Sequence, residues 1–207
     1  GEGGSDRITI CEDTNGDSRA DKFTRFAEGL NMPQGIINVE GGCVVAMAPD
    51  IVYMRDTNGD GKCDERKVLY SGFHRGDTHA MLGHFRQGLD GWIYATCGYS
   101  GLEVKSGGRT HRGAQCVFRF RTDRDALEVL TNTSNNTWGL GLTEDGEIFN
   151  STANGSHSVF TAVPNRVLET VRGWHAAGNA TVEDHTDAHP VADGTFQVDC
   201  NGGYTAA

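Results

Sequence analysis

Ile51-Val-Tyr-Met-Arg-Asp-Thr-Asn-Gly-Asp60, continued by Asp64-Glu-Arg-Lys-Val-Leu-Tyr-Ser-Gly72, is the stretch whose reading decides the fold. It reads as a strand, an acidic loop, a second strand and a closing glycine. β-branched and aromatic residues fill the strands, and Asp, Asn and Gly fill the loop. The same unit stands 43 residues earlier, where Arg7-Ile-Thr-Ile-Cys-Glu-Asp-Thr-Asn-Gly-Asp17 leads to Asp21-Lys-Phe-Thr-Arg-Phe-Ala-Glu-Gly29. A third copy, Cys116-Val-Phe-Arg-Phe-Arg121 then Leu127-Glu-Val-Leu130, carries the degenerate loop Thr122-Asp-Arg-Asp125.

A second hairpin interleaves with the first. It occurs as Gly35–Val45, Phe85–Tyr94 and Leu140–Phe149, with turns starting at Gly41, Asp90 and Asp145. Asp-Gly between such runs favours a tight hairpin turn, because that turn needs positive φ. Two hairpins per repeat of about 50 residues make a four-stranded antiparallel sheet, and tandem sheets of this period predict an all-β fold of the β-propeller type. The expected units are a half-blade at 7–29, blades at 35–72, 84–132 and 137–171, and a further start near 195–199. No amphipathic helix is expected. About four blades' worth of chain is at the bottom of the range for a closed ring. The expectation is therefore a single propeller segment over 1–207, completed by more chain or by another segment.

The chain has 28 acidic and 18 basic side chains and a net charge of -10, which argues against nucleic-acid binding. No apolar run reaches the roughly 18 residues of a membrane helix. The six cysteines (Cys11, Cys43, Cys63, Cys97, Cys116, Cys200) form no CxxC or CxxCH, so neither a local zinc knuckle nor a covalent haem is expected. Their even number permits three disulfides, with the pairing open.

Asp13, Asn15, Asp17, Arg19 and Asp21 fit D-x-N-x-D-x-x-x-D, as do Asp56, Asn58, Asp60, Lys62 and Asp64. Side-chain oxygens at positions 1, 3, 5 and 9 and the carbonyl at 7 suit Ca²⁺, which takes 6–8 hard oxygens. An EF-hand needs Glu at position 12, where Thr24 and Lys67 stand, so these loops are not EF-hands. The alternative is a pair of Asx-type turns without an ion. Ser18 stands where glycine would form the first turn more easily.

His79, in Gly76-Asp-Thr-His-Ala80, precedes an innermost strand and is the candidate general base. Asn135 and Asn136 stand at the equivalent place in the next blade. The carbonyls near Asn154 and Gly155 end that blade's second strand. Asp184, His185, Asp187 and His189 form a polar stretch read as a solvated loop or a metal site. Trp92, Trp138 and Trp174 are read as packing residues.

The motifs Ile10–Phe23, Gly76–Ala80, Gly91–Gly101, Ser134–Gly141, Ser151–Gly155 and Gly202–Ala207 resemble the membrane-bound dehydrogenase domain of planctomycete (PVC)-type bacteria. That domain is similar to soluble quinoprotein glucose and sorbosone dehydrogenases, six-bladed propellers that use pyrroloquinoline quinone and calcium. The resemblance covers nearly the whole chain and implies a sugar or alcohol dehydrogenase. His79 would then be the base, Asn135 and Asn136 quinone contacts, and the carbonyls of Asn154 and Gly155 ligands of an active-site calcium. Asn replaces the Arg of the family's Arg-Asn pair, so one charge-assisted contact to the quinone is lost. The resemblance further implies a periplasmic or extracellular location, a c-type cytochrome domain or subunit as electron partner, and a family ending beyond Ala207. Two alternatives stand beside this reading. One is a non-catalytic, calcium-stabilised propeller that binds glycans or scaffolds a redox assembly. The other is a subunit that contributes interface surface alone.

Overall fold

The structure is a computed structural model and describes residues 4–133, 135–154, 158–173 and 179–182, with the backbone alone at 135, 153 and 154. β1 (Asp6–Glu12) and β2 (Lys22–Leu30) form a two-stranded sheet. β3 (Gly35–Val39), β4 (Gly42–Met47), β5 (Asp50–Arg55) and β6 (Glu65–Ser71) follow as one antiparallel meander. The next sheet is built by β7 (Leu82–Gln87) and β8 (Ile93–Cys97), then by β11 (Cys116–Phe120) and β12 (Leu127–Asn132). Between its second and third strands the chain inserts a separate hairpin, β9 (Leu102–Ser106) and β10 (Arg109–Gly113). The last described sheet is β13 (Asn135–Leu142), β14 (Ile148–Asn154), β15 (Val159–Thr161) and β16 (Asn179–Thr181), with a one-turn helix α1 (Asn165–Leu168) before β16.

The chain is thus all-β, with successive antiparallel sheets of the expected strand order. The boundaries differ at two places. The unit expected over 84–132 begins at Leu82 and carries the inserted hairpin. The unit expected over 137–171 runs from Asn135 to Thr181, because α1 and its flanks delay the fourth strand. Residues 195–199 lie outside the described residues.

Side-chain alternation explains how the sheets stack. β4 is a continuous apolar run because both of its faces are covered. Cys43 and Val45 point toward a cluster with Ala27, Leu30, Val52 and Met54, under the β1–β2 sheet. Val44 and Ala46 point the other way, into a cluster with Phe85, Ala95, Phe118 and Phe120 from the β7–β12 sheet. Phe118 and Phe120 are fully buried, and rings of Phe73, Phe85 and Tyr70 surround them at 5.4–5.6 Å between centroids. Burial of one such ring contributes about 1.5–3 kcal/mol.

The seam between the β7–β12 and β13–β16 sheets is different. One end is apolar, with Tyr94, Val117, Leu130, Leu140 and Ile148. Further along the same faces the buried side chains become Thr96, Thr131, Thr137, Asn150 and Thr152, with Thr161 opposite Ile148. Asn150 Nδ2 donates to Thr161 Oγ1 at 3.3 Å, while Asn150 Oδ1 is buried without a partner among the described residues.

The first strands of the three four-stranded sheets are neighbours, with β7 between β3 and β13. Gly35 and Gly83 allow the closest approach: a Cβ on Gly35 would lie 3.3 Å from Gly83 Cα. The inserted hairpin ties two sheets together. Glu103 N donates to Gly72 O at 2.8 Å, His74 N donates to Gly101 O at 3.0 Å, and Phe73 bridges to Leu102. Among the described residues no helix is long and apolar enough to cross a membrane.

Candidate functional site

A cavity of about 160 Å³ opens where the first strands begin. Gln34, His79, Met81, His84, Thr137 and Trp138 supply most of its wall. Gln34, just before β3, fixes the segment that leads into β7. Its Nε2 donates to Thr78 O at 2.6 Å, and its Oε1 accepts from Met81 N at 3.2 Å. Ser100 holds the same segment from the far side, accepting from Asp77 N at 2.8 Å.

His79 stands at the mouth, with its side chain 85% exposed. Asp77 Oδ1 accepts from the His79 amide at 2.8 Å and lies 3.0 Å from His79 Nδ1. The amide, then the ring, hold the Asp77 carboxyl below the usual 3.8. The result is an imidazole oriented by a carboxylate, with Nε2 toward solvent.

His84 lies deeper and was missed by sequence reasoning. It follows Gly83 where the β7–β8 register slips between Gly83 and Arg86. Its φ is +53°, a left-handed backbone that few side chains adopt. Its ring is half-buried, with Nδ1 3.3 Å from Thr96 Oγ1 and the ring edge-on to Trp138 at 5.9 Å. Burial, and next the charge of Arg86, push its pKa down, so the neutral ring is favoured. No sequence signal announced it, because its position depends on a bulge. Trp138, expected to be a packing residue, is 43% exposed beside this cavity. Trp92 does pack, under the Arg119 guanidinium at 4.5 Å from its ring centre.

β13 and β14 place Asn135 opposite Asn154 at the same end of the sheet. The side chains of both lie outside the described residues, as does Gly155. Asn136 adopts φ +50°, and its Oδ1 is buried with no partner among the described residues. Thr133 and Thr137 hydroxyls meet in a short contact beside it. The polar stretch with Asp184, His185, Asp187 and His189 is also outside the described residues.

The two acidic loops join outer strands and are near copies of each other. Asp13 Oδ1 accepts from Gly16 N at 2.7 Å and its Oδ2 from Ser18 N at 2.8 Å. Asp56 does the same with Gly59 and Gly61, both at 2.7 Å. Asn15 and Asn58 accept from Asp17 N and Asp60 N, and Asp17 and Asp60 accept from Arg19 N and Lys62 N. Asp21 and Asp64 close the loops on Thr14 and Thr57. Among the described residues no three acidic, Cys or His side chains converge as a metal-holding group. The donor set nevertheless fits a hard cation, since each carboxylate offers about four lone-pair sites and the amides use only some of them.

Among the described residues the cavity at His79 is smaller than the roughly 300–1,000 Å³ of most ligand pockets, and no Lys or Arg lines it. A larger recess of about 700 Å³ lies where the β7–β8 and β13–β14 turns meet, against Leu89, Asp90, Tyr94 and Asp145. The five described cysteines are free, so none of the permitted disulfides forms among them. Burial pushes the Cys97 thiol up to about 12 and Cys43 to about 11.

A family model described as a domain of unknown function (DUF7133) matches residues 1–207, so the chain belongs to that family. No curated protein and no solved structure matches it.

Proposed function

We propose that the chain is a segment of a calcium-stabilised β-propeller in a sugar or alcohol dehydrogenase-like protein. The propeller reading is supported by three consecutive four-stranded meanders, stacked face to face with their first strands side by side. The dehydrogenase reading rests chiefly on the Asp77–His79 pair at the mouth of the cavity where those strands begin. Asp77 accepts from Nδ1–H and so leaves Nε2 to take a proton from a hydroxyl, while the carbinol hydride would go to a quinone-class acceptor and its electrons on to the c-type cytochrome, as the resemblance implies. The carboxylate then stabilises the imidazolium that forms. Calcium would be held by the two acidic loops, in a structural role. The periplasmic or extracellular location and the c-type cytochrome partner come with the resemblance. Pyrroloquinoline quinone as that acceptor comes with the resemblance, and no Lys or Arg among the described residues of the His79 cavity wall would pair with its acid groups.

The test is dye-linked oxidation of sugars and alcohols by the full-length protein with calcium present. Turnover that falls on the order of 10²–10⁴-fold in His79→Ala supports the base. Turnover unchanged in that variant removes His79 from the chemistry.

The second reading, a non-catalytic glycan-binding or scaffold propeller, is favoured by the small cavity and the exposure of His79. Sugar binding without turnover under any acceptor would select it.

A further inference from the structure

We propose that the cavity lined by the contacting rings of His84 and Trp138 is a subsite for one neutral sugar ring, with His84 Nε2 paired to a sugar hydroxyl and Trp138 offering an open face to the C–H groups. The inference rests on the reading above that the ligand is hydroxylated, and it names the residues that would recognise it.

Four observations converge. First, β7 departs from regular pairing at this point. Bulges recur next to functional sites because they re-aim a side chain, and this one aims His84 at the cavity. Second, His84 keeps a left-handed backbone that glycine or asparagine would adopt with less strain. Third, the ring is held by Thr96 on Nδ1, which leaves Nε2 for a ligand. Whichever tautomer Thr96 selects, a hydroxyl complements Nε2, since a hydroxyl both donates and accepts. Fourth, Trp138 leaves 43% of its surface open beside the cavity, an amphipathic ring with an apolar face to offer.

Charge argues for a neutral ligand. His84 itself is favoured neutral, and Gln34, Thr137 and Trp138 are uncharged. Arg86, on the same strand, acts on His84 only through its field, and Thr96 faces it from β8. Among the described residues of the cavity wall the other titratable group is His79, which Asp77 holds from outside the wall. The volume holds about five waters, roughly the space a single ring would clear.

The experiment follows imidazole ¹⁵N signals of the full chain during titration with D-glucose, D-galactose and D-mannose, with affinity measured by calorimetry. The proposal expects the His84 signals to shift with at least one sugar. His84→Asn, which keeps the left-handed backbone, and Trp138→Phe, which keeps an aromatic filler, each weaken binding about ten-fold or more with an unchanged melting temperature. Leu89→Ser, in the recess at the other end of β7, leaves affinity unchanged. Sugar binding that shifts His79 alone, or that survives both variants, overturns the subsite while leaving the hydroxyl-directed function standing. No binding of any of the three sugars overturns the subsite, and the function falls with it only if dye-linked oxidation of alcohols is absent as well.

Discussion

Ser18 sits at φ +68°, where its counterpart in the second acidic loop is Gly61 at +81°. A left-handed conformation costs an L-residue roughly 1–2 kcal/mol, and glycine escapes it at some cost in chain entropy. Ser18→Gly is therefore expected to stabilise the fold by up to about 1 kcal/mol, read as a higher denaturant midpoint with an unchanged slope. This strain was legible in the sequence, because Ser18 broke a repeat whose other copy has glycine. His84 was not legible. Its importance comes from a bulge and a backbone angle, and nothing in Leu82-Gly-His-Phe85 distinguishes it from an ordinary strand residue. The position of His79 just before a strand was legible, but the carboxylate beside it, two residues away, became visible as a partner only in the fold.

Hairpins were the most readable elements. The turns at Gly41, Asp90 and Asp145 appear where expected, with Gly41, Gly91 and Gly146 at φ of 76–81°. The β9–β10 hairpin breaks the repeat, so the repeat pattern did not announce it. At this scale Tyr70 is the clearest tie between sheets. From β6 its hydroxyl reaches the β11–β12 turn, lying 2.7 Å from Arg121 O and 3.0 Å from Ala126 O, and accepting from Ala126 N at 3.1 Å. Tyr70 is 4% exposed, so Tyr70→Phe leaves Arg121 O without the Tyr70 donor, while Ala126 N and O keep their bonds to Arg124 O and Arg121 N; the change should cost about 1–3 kcal/mol. A double-mutant cycle cannot isolate a backbone partner, so the check is the loss of hydrogen-exchange protection at Ala126 beside the change in denaturant midpoint. The acidic loops make a second prediction. Calcium should raise the melting temperature and a chelator should lower it again. Asp13→Ala and Asp56→Ala should each remove part of the rise, and the double variant all of it.

Across the whole molecule the acidic side chains set the response to pH. Asp13 is depressed by the Gly16 amide, Asp21 by the Thr14 hydroxyl and Asp56 by the Gly61 amide, and Arg121 holds Asp123 at about 2. A carboxylate with a lowered folded pKa gives stability above its unfolded value of 3.8 and loses it as pH falls through the folded value. Acid unfolding is therefore expected below about pH 3.8 rather than near the pI of 5.2, and it should soften in high salt because these groups are exposed. Thermal scans from neutral to acid pH, at two ionic strengths, measure it. The stacking that these charges surround was foreseen as sheet upon sheet. What remained hidden was the unequal character of the joints. Alternation of apolar residues reveals that a strand is covered on both faces, but not which neighbour covers it.

That inequality has a mechanical consequence. Between β3–β6 and β7–β12 the joint is a ladder of aromatic rings fastened by the inserted hairpin, whereas the joint to β13–β16 turns to threonine and asparagine away from its apolar end. Stretched from its two termini, the protein should tear in order: the hydroxyl-lined joint gives way early and at low load, and the clasped pair of sheets comes apart late, as one block.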